Sequence, residues 1–187
     1  ISGKNEEIKL TITKDKSKDK KKIKINNENT HKLEKFENKE IRKDLNKEIE
    51  IPLNNQIEVF KQQLELVQRT HKPIILHCVA AFQEVISIKK DRNIQNPMII
   101  HGFSKNEQVA QSLLSNGCYL SFGKYLMRNP DLEKVFTFAP ENKILLETDT
   151  IEESIFDVYE KAATMKGLSM DEMRNMIFQN FKSIFKP

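Results

Sequence analysis

The chain has 187 residues, 31% of them Asp, Glu, Lys or Arg, with a mean hydropathy of −0.58. That length suffices for one domain with a sizeable core, and no apolar run approaches the roughly 20 residues needed to span a bilayer. The net charge of +4 lies wholly in residues 1–50, which hold 15 of the 31 basic and 11 of the 27 acidic residues and leave 16 of each sign for the rest.

Residues 1–50 form a Lys/Asn-rich segment and 51–187 the expected folded domain. The run "KDKSKDKKKIKINNENT" has almost no apolar content, too little to offset the entropy of ordering. Residues 1–33 are therefore expected to be disordered or poorly packed. Within them "IKLTITK" (8–14) alternates, and becomes a strand only if something pairs with it. A basic segment can hold nucleic acid by neutralising phosphates, but Asp15 and Asp19 dilute this one. No aromatic residue stands within 1–30 to stack on bases, so a solvated tail is the preferred reading. The chain opens on Ile1 and shows no secretory leader pattern. Cys78 and Cys118 lack CxxC spacing and sit in apolar, strand-like surroundings. Buried, reduced thiols in a cytoplasmic protein are expected.

From Asn54 the texture changes. Ile57, Phe60, Leu64 and Val67 fall at helical spacing, with Asn54 or Asn55 as N-cap. A strand "PIILH" (73–77) follows, then a helix over about 80–92. Strand "PMIIH" (97–101) leads to a helix over about 105–116, closed by Gly117. Strand "CYLSF" (118–122) precedes a short helix near 130–137 that starts from Asn129-Pro130. Strand "KILLET" (143–148) comes before helices near 151–166 and 169–185, the last capped by Ser169 with Glu172 as its capping-box partner. His71, at a helix end, reads as a dipole partner.

Strand–helix thus repeats four times, with strands apolar enough to be buried on both faces, as in a parallel sheet. Right-handed crossovers bring all the strand C-termini to one edge, where α/β proteins bind ligands. His77, His101 and Asp149 all fall at or just past that edge. Two imidazoles and a carboxylate suit Zn²⁺, Mn²⁺ or Mg²⁺. They equally suit a metal-free arrangement, in which the histidines hydrogen-bond at strand ends and Asp149 caps the helix begun by "DTIEES". Spacing alone leaves both readings open.

The stretch from about 54 to 187 resembles the TatD family of metal-dependent DNases, in the amidohydrolase-like superfamily of (β/α)8 barrels. The resemblance is carried by "KPIILHCVAAFQEV", "MIIHGFSKN", "NGCYLSFGKYL", "ILLETDT" and the terminal "NFKSIF". It implies a TIM-barrel type of fold, here a partial barrel with about four parallel strands. It also implies His77, His101 and Asp149 as ligands of a divalent metal, at one or two sites, with one expected in this chain. The implied activity is phosphodiester hydrolysis, notably 3′-end trimming of single-stranded DNA, so DNA is the expected partner. A metal ion lowers the pKa of bound water and polarises a phosphoryl group. Asp149 would also take a proton from that water, and Glu147 would orient the ligands from behind. Ser104 and Lys124 are candidate phosphate contacts near helix N-termini, although ordinary polar loop residues are the preferred reading for both.

The family also carries His-x-His on its first strand and a later Gly-Glu-x-Gly-Leu-Asp. Neither stands here: "IRKDLNK" (41–47) puts Arg42 in place of the Glu and Asn46 in place of the Asp, and Asn29 and His31 are the nearest trace of His-x-His. Loss of those ligands weakens two-metal chemistry. A partial barrel exposes strand edges, so self-association is a further expectation. The sequence is thus read as a TatD-type hydrolase, with turnover by this chain weighed slightly against. The alternative is an inactive relative that binds nucleic acid or serves as a partner-dependent oligomerisation fragment.

Overall fold

The computed structural model describes residues 8–13, 52–149 and 154–185. Its elements run β1 (Ile8–Thr13), α1 (Leu53–Thr70), β2 (Ile74–Val79), α2 (Phe82–Asp91), β3 (Met98–His101), α3 (Glu107–Ser115) and β4 (Cys118–Phe122). Then come α4 (Lys124–Arg128), α5 (Leu132–Phe138), a 3-10 turn (Glu141–Lys143), β5 (Ile144–Leu146), α6 (Ile155–Lys166) and α7 (Met170–Phe185). The strands form one all-parallel sheet in chain order, β1-β2-β3-β4-β5. Each crossover advances by one strand. Right-handed connections of that kind put every helix on one face and curl the sheet into a barrel wall.

Burial agrees with that reading. Ile74, Leu76, Cys78, Met98, Ile100, Cys118, Leu120, Phe122 and Ile144 share one core with buried residues of the helices, among them Phe60, Leu64, Val85, Leu113, Phe136, Ala162 and Ile177. The intervening strand residues turn to the other, inner face. At the lower end of that face Ile99 and Leu145, with Ile75 and Tyr119, pack against Ile184 and Phe185 from the tip of α7. At its upper end stand His77, His101 and Ser121.

Several expectations change. Among the described residues the sheet has five strands, against about four expected. The fifth, Ile8–Thr13, is the stretch expected to become a strand only with a partner, and β2 is that partner, from Ile8↔Ile74 to Thr13↔Val79. Asn29, His31, Arg42 and Asn46 lie outside the described residues. Helix α1 starts at Leu53 from Pro52, not from Asn54 or Asn55, and ends at His71, whose left-handed φ of 55° lets its N–H reach the Val67 carbonyl. Helix α4 was not foreseen. Strand β5 stops at Leu146, two residues short. Asp149 does not cap the next helix: Ser154 does, in a reciprocal capping box with Asp157. The Ser169–Glu172 capping box forms as expected. Among the described residues, no helix is long and apolar enough to cross a membrane.

The "NFKSIF" motif has a structural explanation. Asn180 is buried, and its amide donates to the carbonyls of Glu141 (2.6 Å) and Ile144 (2.8 Å). It thereby ties α7 to the turn that starts β5. Asn180→Leu would leave both carbonyls without that donor, and a loss of ~2 kcal/mol is expected in urea unfolding. The opposite sign is expected at Ala80, just past β2, whose φ of 61° is left-handed. There Ala80→Gly should raise stability by about 1 kcal/mol by removing the Cβ conflict, read from the same unfolding curves.

Candidate metal centre

The upper inner face is built by register. His77 on β2 lies opposite His101 on β3. The β3–β4 pairing runs to Ile100↔Leu120, so the next step sets His101 beside Ser121. The β4–β5 pairing runs to Phe122↔Leu146, so the next step sets Gly123 beside Glu147. On the helix side of the same strand ends, Phe103, Phe122 and Phe136 meet edge to face with centroids 5.7 and 5.1 Å apart, a stiff apolar backing.

Glu147 is the hub. Its Oε2 accepts from His101 Nδ1 at 2.7 Å and from the Ser121 hydroxyl, and its Oε1 accepts from the Gly102 N–H at 3.1 Å. A carboxylate can only accept, so His101 carries its proton on Nδ1 and turns Nε2 the other way. There Asp149 Oδ2 stands 3.5 Å from Nε2. Glu147 makes its neighbour a better base: its hydrogen bond raises the His101 pKa above the ordinary 6.5, against the opposing effect of burial. His77 shifts the other way. Burial lowers its pKa first, then repulsion from His101. Its ring centroid lies 5.8 Å from that of His101.

Whether these groups suit a metal can be tested on the geometry. Two donors bound to one tetrahedral ion at about 2.1 Å stand ~3.4 Å apart, and the Nε2–Oδ2 separation is 3.5 Å. Asp149 is held there by a left-handed backbone, φ 51°, and is half exposed. The pair fits a divalent ion. Among the described residues, however, no three His, Cys, Asp or Glu side chains are gathered closely enough to hold one together. His77 shares the face and the chemistry but completes no such group.

The remaining candidates separate. Lys124 is half-buried at the start of α4 and lies close enough to His77 to lower its pKa further. Helix α4 has only five residues, too short for an anion site at its end, so Lys124 brings only its ammonium charge. Ser104 is not at a helix end either, because Asn106 caps α3 by accepting from Val109 N. Cys78 follows His77 but faces the helices, and burial pushes its thiol up to about 12 and that of Cys118 to about 11. Neither is a nucleophile. Sequence reasoning missed Ser121 and Gly123. Both lie inside "CYLSFGKYL", but nothing local marks them, since their partner is more than twenty residues away.

Comparison with known proteins gives the family and the fold. Residues 40–186 match the family described as TatD related DNase. The metal-dependent hydrolase YcfH of Escherichia coli K12 is 25% identical over 142 residues, covering 67% of this chain and 54% of that protein. YabD of Bacillus subtilis, also named a metal-dependent hydrolase, is 27% identical over 144 residues, covering 68% and 56%. The chain thus spans little more than half the length of these relatives. In structure it is similar to YjjV, a TatD homologue from E. coli K12, with a TM-score of 0.65 at 21% identity over 72% of this chain and 58% of that one. It is also similar to a TatD family hydrolase from Entamoeba histolytica, with a TM-score of 0.66 at 15% identity over 73% and 58%. The fold is that of a TIM-barrel wall, and the chain belongs to the TatD-related DNase family.

Proposed function

We propose that the chain carries the metal site of a phosphodiester-hydrolysing enzyme acting on DNA, with single-stranded 3′ ends as substrate. The observation that carries this reading is the His101 Nε2–Asp149 Oδ2 pair at metal-bite distance, with Glu147 behind Nδ1. His101 and Asp149 would hold a divalent ion, Mg²⁺, Mn²⁺ or Zn²⁺, and His77, beside His101 on the same face, is the further candidate ligand. Bound there, such an ion supplies an acidified water and a polarised phosphoryl oxygen. The protein's own residues do the rest. Glu147 holds the His101 tautomer. His77, its pKa lowered, offers a neutral ring at pH 7. Asp149, half exposed on the outer side of the pair, is placed to take a proton from water. Lys124 adds positive charge on the His77 side, where a phosphate would enter.

A second reading, an inactive relative that needs a partner, draws on two features of the described residues: no three-ligand group is gathered among them, and the outer side of β5 has no strand partner among them. Self-association through that edge belongs to this reading. It would show as a dimer in sedimentation velocity that dissociates on dilution.

Calorimetric titration with Mn²⁺ separates the two readings. One equivalent should bind, and His101→Ala or Asp149→Ala should weaken binding ~10-fold or more. Mn²⁺-dependent shortening of a 3′-labelled single-stranded oligonucleotide, abolished by chelator, should accompany it. Heat of binding unchanged by both variants would sink the hydrolase reading.

The pH dependence has a defined sign. The raised His101 pKa means that its pairing with Glu147 stabilises the metal-free fold fully below pH 6.5 and fades as pH rises through the folded-state value. Metal uptake must expel the Nε2 proton, so Mn²⁺ affinity should rise over the same interval. Glu147→Gln should move both transitions to lower pH, followed by NMR titration of the His101 ring. A His101 titration unmoved by that change would remove Glu147 as its cause.

A further inference from the structure

We infer that Ser121 and Gly123, at the end of β4, are positioning residues that hold Glu147 in the single pose that fixes the His101 tautomer. Their functional consequence rests on the metal-site reading above; their geometry does not. Ser121 is 5% exposed and sits beside His101 on the inner face. Its hydroxyl donates to the same Oε2 that accepts from His101 Nδ1. The other oxygen takes the Gly102 N–H. Three donors from two strands therefore fix a side chain that has three rotatable bonds of its own. Without the hydroxyl, Oε2 keeps one donor, and the carboxylate can turn about its last bond and release Nδ1.

Gly123 acts through the atom it lacks. A Cβ there would lie 2.7 Å from the Glu147 carbonyl oxygen and 3.0 Å from Glu147 Cγ. The carbonyl cannot retreat easily, because Glu147 N donates to Phe122 O at 2.9 Å across the same strand pair. The bare backbone is what lets Glu147 lie close over β4 and lean back toward Ser121 and His101. Ser121 thus supplies the donor and Gly123 the room.

The test uses the metal-free full chain and three variants, Ser121→Ala, Ser121→Thr and Gly123→Ala. Ring ¹⁵N shifts of His101, recorded above its titration, report the tautomer directly. The wild type should show Nδ1–H almost alone. Ser121→Ala and Gly123→Ala should show a mixture of tautomers, and Ser121→Thr, which keeps a hydroxyl, should restore the single form. Mn²⁺ affinity should fall ~10-fold or more in the first two and recover in the third. Thermal melts identify any variant that has simply lost its fold, and the remaining variants then decide. A folded Ser121→Ala or Gly123→Ala protein with the wild-type ¹⁵N signature would overturn the inference. A Ser121→Thr protein as mixed as Ser121→Ala would overturn it too. A wild type locked in the Nδ1–H form but indifferent to Mn²⁺ would support the positioning role and overturn only the metal reading.

Discussion

The arrangement depends on one constraint, the in-register parallel pairing of β2, β3 and β4. Side chains alternate faces at every residue, so a parallel register fixes which residues share a face and which stand side by side. Ile74↔Met98↔Cys118 sets one row toward the helices. Ile75↔Ile99↔Tyr119 then sets the next row inward, and the row of His77, His101 and Ser121 follows two residues on. A slip of one residue in β2 or β3 would bury a histidine among Leu and Ile under the helices and push an apolar side chain into the site, and a slip in β4 would do the same to Ser121. The strong burial of Leu76, Ile100 and Leu120 on the helix side makes that slip costly. The core therefore specifies the site.

This explains why much was legible in the sequence. Near-continuous apolar strands announce a parallel sheet buried on both faces, and a His closing two such strands announces a shared edge. What was not legible depends on partners distant in the chain. Ser121 looks like any small polar residue at a strand end until Glu147, 26 residues on, is brought against it. In "DTIEES" the early Asp149 reads as the cap, and the Asp that decides otherwise lies beyond that stretch. Ser154 wins because Asp157 answers it three residues later, which frees Asp149 for the left-handed turn beside His101. "IKLTIT" could be scored as a strand only conditionally, because its partner, β2, lies some sixty residues away. "GKYLMRNP" hides a one-turn helix whose length is below what periodicity can detect.

A sheet that is only part of a barrel wall leaves the inner face to be covered, and here the lower half of that face is covered by the chain's own end. Ile184 and Phe185 lie against Ile99 and Leu145 where, in a closed barrel, side chains from further strands would fill the layer. Asn180 holds α7 in place for that contact by bonding the backbone that leads into β5. The same helix leaves Phe178 and Phe181 more than half or half exposed, so its apolar surface exceeds what the described residues cover. The terminal motif is thus a packing device, which accounts for its place among the family-like stretches although it lies far from the site.

The charge arrangement of the metal-free site follows from the same geometry. His101 lies between two carboxylates, Glu147 on its Nδ1 side and Asp149 on its Nε2 side. Between them a proton on Nε2 is favoured, which is why the ring titrates above its ordinary value while burial opposes it. His77, on the neighbouring strand, shifts the other way: burial first, and then repulsion from His101, hold its pKa below the ordinary value. A divalent ion held by His101 Nε2 and Asp149 Oδ2 would have to displace the Nε2 proton. Proton and metal thus compete for one position between the same two side chains, which ties occupancy of the site to pH.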